Sequence, residues 1–539
     1  MPQLDLATLH EAVAAEIPDR ECLVWRDRRL TWREVTERSR RLAHLLREHG
    51  LGRRDEAVRP WESPHDHLAL YLHNGPEYLE GLIGAHKARV APFNVNYRYV
   101  DDELAQLFGD ARPAAILFHA RFAEAIGRVV QRLDHTPLLL QVADDSGAEL
   151  LPDALDYEKA LAASSAEPLD VRTSPDDLHI LYTGGTTGMP KGVLWRIGDL
   201  MVGPLALTRR DGTPITDLDE AVARAVESRH RVLVGPPMMH GAGTWSALGG
   251  WCGGACVVFP DQAGGLDAAD LLATAERERA TRMPLVGDAF ARPILAELER
   301  RPYDLGALRT LLNSAAAISP DVRARLLEHL PHVRIVDVLG TSESGFQVSR
   351  DGSSARAFAP APGTAVLSAD RTRRLAPGED ELGWLAKGGG AIPLGYLGDP
   401  AKTAATFLTV DGERVVVAGD RARLLPGGAV EVLGREATTI NTGGEKVFAE
   451  EVEAVLRDLP GVADALVVGR PSGRWGTEIV AVLRPAAAPG DAELRAGCAA
   501  RLARYKIPKA FLRTDRGLRL PNGKADYAAA RALLDADRI

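Results

Sequence analysis

The amino-acid sequence predicts an α/β protein with a large amino-terminal domain and a small α+β carboxyl-terminal domain. With 539 residues, 45% of them hydrophobic, the chain can bury a large core and is long for one domain. Short apolar runs such as 114–118 alternate with longer helical patterns such as 268–279, which is typical of α/β folds. Turn residues cluster at 426–434, so we predict domains 1–434 and 435–539.

Local patterns predict individual elements. Thr31 and Glu34 have the spacing of a capping box before an amphipathic run, which indicates a helix that ends near Gly50. In the tail after residue 434, apolar spacing predicts two helix faces and one buried strand. These are the helices over 452–459 and 494–502 and the strand over 465–468.

Charge and cysteine content exclude several classes of function. The chain has 65 basic and 74 acidic residues, a net charge of -9, and the two signs are interspersed, so we expect no nucleic-acid partner. The four cysteines, Cys22, Cys252, Cys256 and Cys498, are too sparse and uneven for a disulfide framework or a paired zinc site. This favours a reducing, cytoplasmic setting.

We predict no export signal and no membrane span. Asp5 and Glu11 lie where a secretory signal would need a basic patch and an apolar run. The stretch 232–260 has no charged side chain, but prolines, glycines and His240 interrupt it. We interpret it as a buried strand, a loop and a helix.

The strongest local signal is a loop rich in glycine and threonine that follows a strand-like apolar run. Glycines let backbone N–H groups approach phosphate oxygens, hydroxyls add donors, and a lysine adds positive charge. The residues of this predicted polyphosphate loop are Thr183, Gly184, Gly185, Thr186, Thr187, Gly188 and Lys191. It is not a Walker loop, because Gly192 follows the lysine and a strand-like run follows Gly192. The alternative is a surface turn between two strands.

With this loop the sequence resembles the adenylate-forming superfamily, which contains acyl-CoA synthetases, aryl-CoA ligases, peptide-synthetase adenylation domains and firefly luciferase. The resemblance extends along nearly the whole chain. It implies a large adenylating domain of several subdomains and a small, mobile carboxyl-terminal domain. It also implies that ATP activates a carboxylic acid as an acyl adenylate, with Mg²⁺ as cofactor and coenzyme A as acceptor.

A second family motif, an aromatic residue followed by Gly-x-Thr-Glu, resembles residues 339–343, with Leu339 in place of the aromatic that stacks on adenine. The resemblance implies that Glu343 binds magnesium, a metal that prefers hard oxygen ligands. On its own, a glutamate in a loop is usually only solvated. Segment 313–317 is similar to the family's adenine-binding segment of small residues. The implied nucleotide contacts here are Ser314, Ala315, Ala316, Asp337, Gly340, Thr341 and Ser342.

Two further residues are implied to contact the nucleotide. Asp420 is similar to the aspartate that accepts hydrogen bonds from both ribose hydroxyls, a role that suits a carboxylate; a turn aspartate is the alternative. Arg435 lies in a segment similar to the family hinge. Relatives have Asp or Lys at the pivot of this hinge, whereas this chain has Ala437.

The carboxyl-terminal part carries two more similarities. Gly443 and Gly444, with Lys446 beside them, resemble the loop that lines the pantetheine tunnel, where absent side chains leave room for a thin substrate. Lys524, in Arg519-Leu-Pro-Asn-Gly-Lys524, resembles the lysine that bridges the acid's carboxylate and the α-phosphate. Without this resemblance, Lys524 would be interpreted as an ordinary surface lysine.

The segment Pro236-Pro-Met-Met-His240 is similar to the family segment whose side chain stands between the acyl pocket and the pantetheine tunnel. We therefore interpret His240 as a catalytic-site gate rather than a base. A histidine beside apolar residues is otherwise a packed core residue.

Segments 287–293 and 440–446 resemble actinobacterial acyl-CoA synthetases of the branch that activates fatty and steroid side-chain acids. We therefore expect an ATP-dependent acyl-CoA synthetase, an acid–thiol ligase that forms acyl-CoA, AMP and pyrophosphate. Its partners would be a small carboxylic acid, ATP and CoA, and a homodimer is one option for its assembly. The alternatives are an adenylation enzyme that loads a carrier protein, a non-catalytic nucleotide-binding relative, and a luciferase-like oxygenase.

Overall fold

A computed structural model describes residues 4–54, 58–184, 190–209, 211–314, 318, 320–351, 357–435, 439–485, 487, 489–518 and 526–536. These residues fall into two compact units. The first contains the described residues within 1–97, 108–182 and 192–434, and the second contains those within 98–107, 183–191 and 435–539.

The helices of the described residues have lengths that are usual in globular proteins. They are α1 (Leu6–Glu16), α2 (Trp32–Glu48), α3 (Pro76–Ala88), α4 (Asp101–Ala111), α5 (Ala123–Val130), α6 (Tyr157–Ala163), α7 (Ile197–Val202), α8 (Leu218–Glu227), α9 (Gly241–Cys252), α10 (Ala268–Arg277), α11 (Gly287–Arg300), α12 (Pro320–His329), α13 (Pro400–Thr406), α14 (Ala449–Arg457), α15 (Asp491–Ala499) and α16 (Tyr527–Ala536). Within the described ranges, none of these helices combines the length and the apolar character that a membrane crossing demands.

The first unit contains two large sheets. One has the strand order β19-β9-β8-β4-β3-β5-β6-β7, and its core strands run parallel. Its strands are β3 (His67–Tyr71), β4 (Ala91–Asn94), β5 (Ala115–His119), β6 (Leu138–Val142), β7 (Ala154–Asp156), β8 (Leu178–Gly184), β9 (Pro190–Arg196) and β19 (Gly395–Tyr396). Strands β3, β4 and β5 are buried along their whole length, as expected where helices cover a parallel sheet.

The second large sheet has the order β2-β1-β11-β10-β12-β13-β14-β15-β16-β23-β22-β18-β21-β20, with β17 paired to β18. Its first half is mostly parallel and its second half is antiparallel. The strands are β1 (Glu21–Trp25), β2 (Arg28–Thr31), β10 (Arg231–Leu233), β11 (Cys256–Phe259), β12 (Arg282–Leu285), β13 (Thr310–Asn313), β14 (Arg334–Thr341), β15 (Gly345–Asp351), β16 (Ala357–Pro360), β17 (Thr364–Leu367), β18 (Gly383–Lys387), β20 (Phe407–Val410), β21 (Glu413–Val416), β22 (Asp420–Leu424) and β23 (Val430–Arg435).

The second unit has its own small core. Strands β26 (Val462–Ser472), β27 (Gly476–Pro485) and β28 (Ala510–Arg513) form one sheet, and β24 (Thr439–Thr442) pairs with β25 (Glu445–Phe448). Apolar side chains from α14, α15 and this sheet make one cluster, which includes Val452, Leu494 and Cys498. This is an α+β arrangement.

The α/β class, with a large amino-terminal and a small carboxyl-terminal part, is confirmed. The capping box at Thr31 and Glu34 is formed and begins α2. The uncharged stretch 232–260 holds the end of β10, a loop and α9, as interpreted from the sequence, and it also holds a second strand, β11, that was not expected. All four cysteines are buried free thiols. Burial raises the pKa of Cys252 and Cys256 to about 12 and that of Cys498 to about 11, because a low-dielectric surrounding disfavours the thiolate.

Candidate functional site

The predicted polyphosphate loop begins at the carboxyl end of β8, which lies beside β4 in a parallel sheet. Ligands of open α/β sheets bind at this end of the strands. Thr183 and Gly184 are the last two residues of β8, and the half-buried Lys191 is the second residue of β9. Gly185, Thr186, Thr187 and Gly188 lie outside the described residues.

The motif around Glu343 forms the tight connection between β14 and β15. A Cβ atom on Gly340 would lie 2.0 Å from the carbonyl oxygen of Gly345. The close approach of these two backbone segments therefore requires glycine at position 340. The Thr341 hydroxyl accepts hydrogen bonds from the backbone N–H groups of Glu343 and Ser344, both at 3.2 Å. Thr341 therefore shapes the turn that presents Glu343.

Two aromatic side chains fix the turn from outside. The Tyr396 hydroxyl donates a 2.9 Å hydrogen bond to Oε1 of Glu343, and both side chains are buried. Trp195 Nε1 donates a 2.9 Å hydrogen bond to the carbonyl oxygen of Ser342. Leu339 packs on an apolar cluster that includes Val348. The turn is thus held by side chains that are distant in the sequence and lie outside the motif 339–343.

Asp337 of β14 is buried and pairs with two arginine side chains. Its carboxylate accepts from Arg323 at 2.5 Å and from Arg350 at 2.6 Å. Asn313 Nδ2 donates to it at 2.8 Å, and the Asn313 Oδ1 atom accepts from the backbone N–H of Gly287 at 2.8 Å. This network fixes the end of β13 against the middle of β14. Its role as a nucleotide contact stays a prediction.

Ser314 directly follows this network, and its backbone N–H donates to the carbonyl oxygen of Leu285. The segment's register against β12 is therefore fixed up to Ser314. Ala315 and Ala316 lie outside the described residues. Asp420 is the first residue of β22 and is buried, and Arg435 ends β23.

A buried lysine, Lys387, stabilises the backbone that follows the Glu343 turn. Lys387 of β18 donates to the carbonyl oxygens of Phe346 at 3.0 Å and Pro362 at 2.6 Å. Burial lowers the pKa of its ammonium group to about 8, because the charged form is disfavoured away from water. Lys387 therefore ties β15, which follows Glu343, to the neighbouring loop.

In the second unit, Gly443 and Gly444 make the turn between β24 and β25. Their φ angles of +57° and +86° fit a two-residue hairpin of the type that favours glycine at both positions. The Gly443 N–H donates to the carbonyl oxygen of Trp475 at 3.0 Å, and a Cβ atom on Gly443 would approach the Trp475 ring to 3.0 Å. The backbone of Lys446 lies in β25. Lys524 and Ala437 lie outside the described residues.

His240 is the half-buried residue that precedes α9. The segment before it is fixed by two buried asparagines, Asn74 and Asn94, which donate hydrogen bonds to its backbone carbonyl groups. Sequence reasoning missed these two residues and Tyr396. A polar amide at the end of a buried strand, as in 91–94, is the signal that could have drawn attention to Asn94.

The family model described as AMP-binding enzyme matches residues 10–397, and the model of the AMP-binding enzyme C-terminal domain matches residues 451–524. The chain is 47% identical to a medium-chain acyl-CoA ligase of Mycobacterium avium, over 97% of this chain and 96% of that protein. It is 36% identical to a medium/long-chain-fatty-acid–CoA/3-oxocholest-4-en-26-oate–CoA ligase of Mycobacterium tuberculosis, over 99% and 96% of the two chains.

Among solved structures, the fold is similar to that of o-succinylbenzoate CoA synthetase from Bacillus subtilis. The TM-score is 0.78 at 21% sequence identity, with 99% of this chain and 98% of that chain covered. At this identity the likeness concerns the fold alone.

Proposed function

Because the chain belongs to the AMP-binding enzyme family and is an AMP-forming acyl-CoA ligase, we propose that its acid is a medium-chain or longer fatty acid or a steroid side-chain acid. The observation that carries this proposal is the 47% identity, over 97% of the chain, to a medium-chain acyl-CoA ligase. The steroid alternative rests on the second relative, whose name includes 3-oxocholest-4-en-26-oate.

In the first half-reaction, a carboxylate oxygen of the acid attacks the α-phosphorus of ATP, and pyrophosphate leaves. Donors of the loop from Thr183 to Lys191 would hold the phosphate groups, and Asp420 would hold the ribose. Lys524 would stabilise the negative charge that develops between the carboxylate and the α-phosphate. Adenylation then needs no covalent enzyme intermediate.

Magnesium fits the residues around Glu343. Mg²⁺ is usually held by one or two carboxylates together with substrate phosphates rather than by a cage of protein ligands. Glu343 offers one buried carboxylate, which the Tyr396 hydroxyl orients through a 2.9 Å hydrogen bond. When bound, the ion would neutralise charge on the departing pyrophosphate.

In the second half-reaction, the thiolate sulfur of CoA attacks the acyl carbon of the adenylate, and AMP leaves with the pair of electrons of the broken C–O bond. Gly443 and Gly444, with Lys446, would line the path of the pantetheine arm, and His240 would border the acyl group. Glycine at both turn positions of this hairpin would leave room for a thin substrate.

The domain division at 434/435 belongs to the same proposal. We infer that residues 1–434 bind ATP and acid and that the smaller domain supplies Lys524 first and the pantetheine surface second. Its rotation between the two half-reactions follows the family's behaviour. A cytosolic location and a homodimer are parts of the proposal that rest on the sequence alone.

The test is to incubate the protein with ATP, Mg²⁺ and acids from short-chain to steroid side-chain, with and without CoA, and to follow pyrophosphate, AMP and thioester. We expect acyl-CoA and AMP with medium-chain or longer acids. Pyrophosphate and acyl adenylate without thioester would favour loading of a carrier protein. ATP binding without turnover of any acid would favour a non-catalytic relative.

A further inference from the structure

Asn94 occupies a junction between the two parts of the proposed site. It is the last residue of β4, it is buried, and it lies beside β8 in the parallel sheet. Its side-chain amide contacts two backbone segments that are far apart in the sequence. One segment leads into the polyphosphate loop and the other leads to His240.

The first contact is a pair of hydrogen bonds with Tyr182. The backbone N–H of Tyr182 donates to Oδ1 of Asn94 at 2.8 Å, and Nδ2 of Asn94 donates to the carbonyl oxygen of Tyr182 at 2.9 Å. The side chain thereby replaces a strand partner at the end of β8. Thr183, the first residue of the proposed polyphosphate loop, follows Tyr182 directly.

The second contact reaches the segment that precedes α9. Nδ2 of Asn94 donates to the carbonyl oxygen of Met239 at 2.6 Å. Met239 directly precedes His240. One amide nitrogen therefore uses both of its N–H groups, one on each segment, and its oxygen is also engaged.

Asn74 provides an internal comparison, because it holds only the second segment. Its Oδ1 accepts from the N–H of Met238 at 2.7 Å, and its Nδ2 donates to the carbonyl oxygens of Pro236 at 3.0 Å and Val234 at 3.3 Å. Thr244 of α9 adds a hydrogen bond from its hydroxyl to the carbonyl oxygen of Met238. None of these contacts involves Tyr182.

We propose that Asn94 is a positioning residue that keeps the entry to the polyphosphate loop and the His240 segment in one register, so that it supports both half-reactions. The inference rests on the proposed function, which assigns ATP to the loop and the acyl–CoA path to His240. Removing the buried amide would take away the donor that Asn94 supplies to the carbonyl groups of Tyr182 and Met239, and we expect both segments to shift in response.

The test compares Asn94→Ala with Asn74→Ala in two separate assays. Acid-dependent exchange of labelled pyrophosphate into ATP reports on the first half-reaction, and thioester formation from supplied acyl adenylate and CoA reports on the second. For Asn94→Ala we expect the KM for ATP to rise and kcat/KM for CoA to fall, each about tenfold, as for an unsatisfied buried polar group. For Asn74→Ala we expect only the second value to change.

The outcomes are distinct. If Asn94→Ala lowers only the melting temperature, with both assays unchanged well below it, the residue is merely structural and the proposal is overturned. It is also overturned if only one assay responds, or if Asn74→Ala raises the KM for ATP as much as Asn94→Ala does. If Asn94→Ala does not fold, Asn94→Ser, which keeps a smaller donor, is measured in its place with the same expected direction. Failure of the unmodified protein to exchange pyrophosphate with any acid would instead refute the proposed function.

Discussion

The ammonium nitrogen of Lys506 lies 2.6 Å from a carboxylate oxygen of Glu103, a residue 403 positions earlier in the chain. The same nitrogen lies 2.7 Å from Oε1 of Glu451, and all three side chains are largely buried. Arg98 pairs with Glu445 in the same unit. Burial raises the pKa of Glu451 to about 7, because the carboxylate is removed from water. These pairs tie residues 98–107 to the carboxyl-terminal residues of the second unit.

Replacing Lys506 by methionine should therefore destabilise the second unit strongly. Two buried carboxylates would face each other without a cation, and breaking a buried ion pair on one side costs about 3–5 kcal/mol. Urea unfolding of Lys506→Met measures this loss. The matched control is Lys506→Met combined with Glu103→Gln and Glu451→Gln, which should recover most of the stability. Equal instability of the single and the triple variant would contradict the ion-pair explanation.

Glu343→Gln should weaken magnesium-dependent adenylation. The amide keeps the shape of the side chain but loses the charge that a hard cation requires, and we expect pyrophosphate formation to fall by about 100-fold, the loss typical of one electrostatic group. Tyr396→Phe removes the hydroxyl that donates the 2.9 Å hydrogen bond to Glu343 and should have a smaller effect. Mg²⁺ titrations of pyrophosphate release compare the two variants. A Glu343→Gln enzyme with an unchanged Mg²⁺ requirement would exclude this residue as the ligand.

Lys524→Ala should impair adenylation and spare the second half-reaction. The lysine is proposed to stabilise charge only while the carboxylate attacks the α-phosphate, so pyrophosphate exchange should fall by about 100- to 1,000-fold. Thioester formation from supplied acyl adenylate should stay near the level of the unmodified protein. Lys159→Ala, at a highly exposed lysine, is the control. Equal losses in both assays would show that Lys524 does not act in the first step alone.

His86 and His179 should make the first unit sensitive to mild acid. Their rings stack in the buried core, with Nε2 of His86 3.4 Å from Nδ1 of His179. Burial lowers the pKa of His179 to about 4 and that of His86 well below its usual value. Below about pH 6.5 the unfolded chain binds more protons at these histidines than the folded chain does.

The stability that this pair contributes is therefore present above about pH 6.5 and is lost as the pH falls towards 4. Melting temperatures of the unmodified protein and of His179→Gln, measured between pH 7.5 and 4.5, test this. We expect a shallower decrease for His179→Gln. Parallel curves would mean that other groups set the acid sensitivity.

Local sequence patterns predicted much of the fold, because helix caps and apolar periodicity depend on neighbouring residues. The capping box of α2 and strand β9, which was predicted after Gly192 and begins at Pro190, are examples. The contacts made by Asn94, Tyr396 and Lys506 join residues that are far apart in the chain, and a single sequence carries no signal of such pairing. The motif residues of the site could be chosen by resemblance, whereas the side chains that orient them could not.

The buried cysteines make this chain suited to fluorescence distance measurements. A maleimide dye needs an accessible thiolate, and each native thiol is buried, with its pKa raised by that burial. New cysteines at Glu124 in α5 and Asp458 after α14, whose side chains are well exposed, would be labelled selectively. A donor and an acceptor dye at these two positions would then follow the distance between the units during turnover, with every native cysteine left in place.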